Sequence, residues 1–113
     1  MNVRFADRQI RFRIAQEELD RLLTGRSLAL DVSMPRAHRF RASVSVTPLG
    51  DWQLDSDPTG LWLSVPRSEV EELASSLPSK EGLEHDFNLD AATKVTVAFE
   101  VDLRKDQQKA PMT

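Results

Sequence analysis

Residues 10–23 and 61–74 carry the same order of apolar positions without a gap, and this internal repeat constrains the fold more than any other feature of the chain. Ile10-Arg11-Phe12-Arg13-Ile14, followed by Ala15-Gln16-Glu17-Glu18-Leu19-Asp20-Arg21-Leu22-Leu23, aligns on Leu61-Trp62-Leu63-Ser64-Val65, followed by Pro66-Arg67-Ser68-Glu69-Val70-Glu71-Glu72-Leu73-Ala74. The same offset of 51 carries Val3 onto Leu54, and Val44 and Val46 onto Val95 and Val97. Few residues are identical, Glu18 with Glu69 and Leu22 with Leu73 among them. Duplication of a half-length unit and coincidence of one strand-helix pattern both stay open.

Each half shows the same change of period. Ile10, Phe12 and Ile14 alternate with Arg11 and Arg13, the two-residue period of a strand with one wet face. After Ile14 the apolar spacing becomes 19, 22, 23 between charged residues, which predicts an amphipathic helix of about three turns. Gly25 can end it in the left-handed conformation. In the second half Pro66 sits where a first helical residue would, Glu69, Glu71 and Glu72 suit a helix N-terminus, and Pro78 forbids continuation. Asp7-Arg8 predicts a tight turn from a strand at Val3-Arg4-Phe5.

Further alternating runs predict strands at 28–32, 40–46, 52–54, 83–89 and 95–103, with turn chemistry at Pro48-Leu49-Gly50 and Ser56-Asp57-Pro58-Thr59-Gly60. The reading is an α+β fold of about eight short, mostly antiparallel strands and two short helices, arranged as two pseudo-symmetric β-β-α-β-β halves. Residues 1–104 form a single domain with half-repeats 1–50 and 51–104, followed by a flexible C-terminal tail at 105–113. The expected core is Ile10, Phe12, Ile14, Leu19, Leu22, Leu61, Leu63, Val65, Val70, Leu73, Val95, Val97 and Phe99.

Composition narrows the function classes. With 113 residues and no Cys, thiol nucleophiles, disulfides and zinc-thiolate sites are excluded. No apolar run approaches the ~20 residues that span a bilayer, and the N-terminus has no apolar signal segment. The expectation is a cytoplasmic protein that does not bind membranes. The four glycines are isolated near expected element ends, so neither a phosphate loop nor a nucleotide fingerprint is present. His38 and His85 are the only histidines and read as surface residues. No cofactor is implied.

Charge is distributed unevenly. Residues 1–50 carry nine Arg and five acids, a net +4, whereas residues 51–113 carry six bases and thirteen acids, a net −7. Arg11 and Arg13 share one strand face, as do Arg39 and Arg41, which makes these four residues anion- or partner-binding candidates. Against this, acids of the second half, Glu100 and Asp102 included, can neutralise them across strands or subunits. Trp62 falls on the face opposite Leu61 and Leu63 and is expected to point outward, a candidate contact for a partner. Glu100, Asp102 and Arg104 share a strand face, so Glu100 and Asp102 are weak metal candidates. That alternation resembles the acid-acid-base strand motif of the triphosphate tunnel enzymes over six residues, with Asp for the second Glu and at the wrong end of the chain.

The opening Ile10-Arg11-Phe12-Arg13-Ile14-Ala15-Gln16-Glu17-Glu18 and the late Val97-Ala98-Phe99-Glu100-Val101-Asp102-Leu103 resemble a family of small uncharacterised bacterial proteins that begin with an Ile-Arg-Leu-Arg-Leu-type strand before a helix. The final strand here lacks the Cys associated with such sequences. The resemblance implies a bacterial cytosolic protein and adds no site residues. The functional expectation is a non-catalytic binding or assembly module that associates with itself as a homodimer or with another protein, nucleic acid being disfavoured by the net charge of −3. The alternatives are a metal-dependent phosphohydrolase acting on a phosphate or polyphosphate through Glu100 and Asp102 with the arginines as clamps, and RNA or polyanion binding through an Arg-rich sheet face.

Overall fold

In the computed structural model, which describes residues 1–78 and 82–102, the alternating runs form eight strands and the two periodic segments form helices. In chain order these are β1 (Asn2–Ala6), β2 (Gln9–Ala15), α1 (Gln16–Leu23), β3 (Leu28–Met34), β4 (His38–Thr47), β5 (Gln53–Asp57), β6 (Gly60–Pro66), α2 (Arg67–Ser76), β7 (Leu83–Asn88) and β8 (Lys94–Asp102). The expected strand residues Leu103 and Arg104, and the tail at 105–113, lie outside the described residues. No helix is long and apolar enough to cross a membrane among the described residues.

The two halves are similar but not separate. One sheet has the order β1-β2-β8-β7 and the other β3-β4-β6-β5, so each takes one hairpin from each half. The hairpin ladders are antiparallel, as the short turns dictate, whereas the central pairs β2–β8 and β4–β6 are parallel because they join strands of different halves. An exchange of this kind ties the halves together through backbone hydrogen bonds rather than side-chain packing alone. The same backbone contact occurs twice: the Arg41 amide donates to the Thr59 carbonyl and the Thr96 amide donates to the Arg8 carbonyl, both at 2.9 Å.

The ladders correct the expected repeat register. Across the parallel pairs Phe12 stands beside Phe99, and Leu63 stands beside Val44. Offset 51 therefore holds for β1, β2 and α1, where Phe12 corresponds to Leu63, but Val44 corresponds to Phe99 and not to Val95. Part of the slip of four lies in α2, ten residues long against eight in α1, and part in the connection to β7. Because side chains alternate with period two, an even slip leaves every residue on its expected face. The apolar pattern thus survived the wrong alignment.

Inner-face side chains of both sheets and the apolar stripes of both helices enter one core containing Phe12, Ile14, Leu19, Leu22, Leu63, Val65, Val70, Leu73, Val97 and Phe99. Ile10 and Val95 are only half-buried, and Leu28, Ala42, Val44, Trp52 and Ala98 join the buried set. Ala98 is on the outer face but lies between the longer Arg11 and Glu84 across the ladders. Helix α1 begins after Ala15, which offers no side-chain acceptor, so capping comes from the other direction: Glu18 Oε1 accepts the Ala15 amide at 2.8 Å, while Oε2 meets the Met1 ammonium at 2.9 Å. Pro66 stands just before α2, one residue earlier than expected. Arg67 at the start of α2 donates to the Leu23 carbonyl at 2.7 Å, closing the C-terminus of α1 and joining the helices.

Candidate functional site

The core consumes the inner faces, so partner chemistry has to be sought on the outer faces. On the β3-β4-β6-β5 sheet Trp62 occupies the middle of β6, with Ser43 of β4 and Asp55 of β5 directly across the two ladders. Its side chain is 38% exposed, consistent with the outward orientation expected from alternation. The indole leans along the strand over Gly60, where a Cβ would come within 3.3 Å of the ring and 2.5 Å of the Arg41 carbonyl. Gly60 thus permits a close backbone approach that any side chain would obstruct. Further along the same outer face Ser45 and Ser64 lie 3.4 Å apart across the parallel ladder.

Charge borders this apolar centre on both sides. Arg39 and Arg41 project from β4, Asp31 from β3, and Asp55 and Asp57 from β5. Arg41 donates through Nε and a terminal nitrogen to the two oxygens of Asp31 at 2.7 and 3.0 Å. This forked bond holds the Asp31 carboxyl below the ordinary carboxylate range and raises the Arg41 guanidinium. Asp57 is likewise held low by the hydroxyl and amide of Thr59.

The other two candidate arginines lie on the β1-β2-β8-β7 sheet. Glu100 stands between them, 3.3 Å from Arg13 and 3.7 Å from Arg11. The four arginines are therefore divided between two sheets, and Glu100 acts as their counter-ion on one of them. Asp102 has a polar or ionic partner of its own. Among the described residues no three His, Asp or Glu side chains are close enough to hold a metal ion.

Two residues acquire roles that alternation does not announce. Trp52, just before β5, is 5% exposed; its indole Nε1 donates to Glu69 of α2 at 2.9 Å, and its ring stacks on His85 of β7 with centroids 5.1 Å apart and planes 7° apart. His85 also meets the edge of the Phe87 ring at 4.8 Å. His85 is thus a half-buried packing residue rather than a surface one, while His38 is exposed. Asp86 points to the opposite face, bonded to the Thr96 hydroxyl at 2.6 Å, so His85 and Asp86 share no site. Trp52 opens the run 52–54 that alternation assigns to a strand, and nothing in that pattern announces its stacking on His85 or its bond to Glu69.

The family model DUF7009, described as a family of unknown function, matches residues 1–110 of the chain. No curated protein and no solved structure matches the chain.

Proposed function

The chain belongs to DUF7009, a family of unknown function, and from that footing we propose that it is a non-catalytic assembly module that pairs with a second copy of itself through the outer face of the β3-β4-β6-β5 sheet. The observation that carries this reading is Trp62, 38% exposed between Arg39 and the Asp31-paired Arg41 on one side and Asp55 and Asp57 on the other. Parallel ladders are usually covered on both faces, and the β4–β6 ladder presents a large indole on its open side.

The register favours a second copy as the occupant. With a two-fold axis running along β6 between two facing sheets, Trp62 meets Trp62 of the partner subunit, and β4 lies over the partner's β5. Arg41 and Asp57 both stand level with Gly60 in their ladders. The axis therefore brings Arg41 towards Asp57 of the partner subunit, and the reciprocal contact follows by symmetry. Neither stripe alone is self-complementary; together they are.

Light scattering on the wild type and Trp62→Ala, at low and high salt, tests the reading. The expected result is a concentration-dependent dimer weakened by roughly thirtyfold or more in Trp62→Ala, the scale of a buried aromatic anchor, and more modestly by salt. A wild-type mass that stays at 12.8 kDa across a micromolar series overturns it.

A further inference from the structure

The outer face of the β1–β2 hairpin departs from its counterpart in the other half. Where β5 and β6 set Asp55 across from Trp62, β1 and β2 set Arg4 directly across from Arg11. Side chains directly opposed in an antiparallel pair have Cβ atoms about 5 Å apart, and like charges there repel. The repulsion is not relieved within the described residues. Arg4 has no hydrogen-bond or ion-pair partner among them. Arg11 has only Glu100, 3.7 Å from Nε and too far for a hydrogen bond, and that carboxylate is hydrogen-bonded to Arg13. Arg11 Nε is enclosed without a hydrogen-bond partner, whereas the side chain as a whole is 38% exposed.

Arg4, Gln9 and Arg11 line a cleft of about 210 Å³ together with Phe5 and Ala6. We infer that this cleft binds the phosphate group of a small phosphate monoester. Two guanidinium groups match a dianion in charge, and their planar forks supply enough donors for three terminal oxygens where a carboxylate has only two. Gln9 adds an amide donor. The volume decides the size of the ligand: it is below the ~300 Å³ at which pockets begin to enclose a drug-sized molecule, so the cleft takes the phosphoryl end and leaves the organic part outside. The site is on the sheet opposite to the Trp62 face and does not depend on the assembly reading.

The test is amide NMR on the full chain, titrated with inorganic phosphate, phenyl phosphate and acetate at constant ionic strength. Both phosphates are expected to give saturable shifts within residues 4–11 at millimolar ligand, with acetate giving none that saturate. Arg4→Gln and Arg11→Gln should each weaken phosphate binding about tenfold, the scale of one charge-assisted contact, while Arg39→Gln on the other sheet changes nothing. Arg4 is exposed on an edge strand, so Arg4→Gln carries the test alone if Arg11→Gln fails to fold. Absence of saturable shifts, saturation by acetate equal to that by phosphate, failure of the ester to bind, or undiminished affinity in Arg4→Gln overturns the inference.

Discussion

Trp62 on β6 and Arg11 on β2 occupy equivalent positions, each the third residue of its strand and each beside a small residue of the parallel neighbour, Ser43 and Ala98 respectively. The same equivalence relates the Asp31–Arg41 ion pair to the Asp86–Thr96 hydrogen bond, and the Ser45–Ser64 contact to Glu100–Arg13. Inside, both halves supply aliphatic or aromatic residues to one core. Outside, the same backbone carries an indole on one sheet and opposed cations on the other.

Because the backbone already accommodates arginine at the equivalent place, Trp62→Arg should fold with a melting temperature close to that of the wild type. It should also abolish self-association, since two cations would meet on the proposed axis. Circular dichroism melts and light scattering on the same samples check both halves of the statement, and a stable dimer of Trp62→Arg would contradict it.

Trp52 combines packing with a hydrogen bond to a carboxylate, so its substitutions should separate the two contributions. Trp52→Ala should destabilise the protein by about 3–5 kcal/mol, the usual cost of emptying a large aromatic site. Trp52→Phe keeps a ring against His85 but loses the donor to Glu69, and should cost about 1.5–3 kcal/mol. Urea unfolding of both variants gives the comparison; equal losses would mean that the hydrogen bond to Glu69 contributes nothing separable.

At Gly60 the obstruction is backbone, since an added Cβ would lie 2.5 Å from the Arg41 carbonyl oxygen. A carbonyl in a paired ladder cannot swing aside as a side-chain tip can. Gly60→Ala should therefore cost about 1–3 kcal/mol in denaturant unfolding, as overpacking does. Gly50→Ala is a useful contrast because nothing lies within 4 Å of its Cβ position, and its cost arises instead from a positive φ of 105°.

Acid stability should respond to Glu18. Burial alone would raise its carboxyl, but the Ala15 amide, the N-terminal ammonium and Arg21 together bring it below its ordinary value. A carboxyl lowered in the folded state stabilises the protein above its unfolded-state pKa, and that contribution is lost as pH falls through the lowered native value. Glu18→Gln should accordingly be less stable than the wild type at neutral pH, with the difference narrowing as the solution is acidified through that window. A difference independent of pH would show that the carboxylate charge is not what matters.

Much of the fold is legible without coordinates because periodicity is a local property. Ile10-Arg11-Phe12-Arg13-Ile14 can bury one face only as a strand, and Leu19, Leu22 and Leu23 can share a stripe only on a helix. The outward direction of Trp62 and the counter-ion role of Glu100 follow from the same alternation. Which strands become neighbours is not local. The pairing of Phe12 with Phe99 depends on packing free energy gained across most of the chain, and nothing in either segment distinguishes a hairpin partner from a strand of the other half. Only the tertiary structure could decide that the halves exchange hairpins, that the repeat slips by four across α2 and its connection to β7, and that Trp52 is covered by His85. The opposed pair Arg4 and Arg11 is different in kind: the two-residue turn at Asp7-Arg8 sets it locally, whereas the enclosure of Arg11 Nε and the cleft beside it belong to the folded sheet.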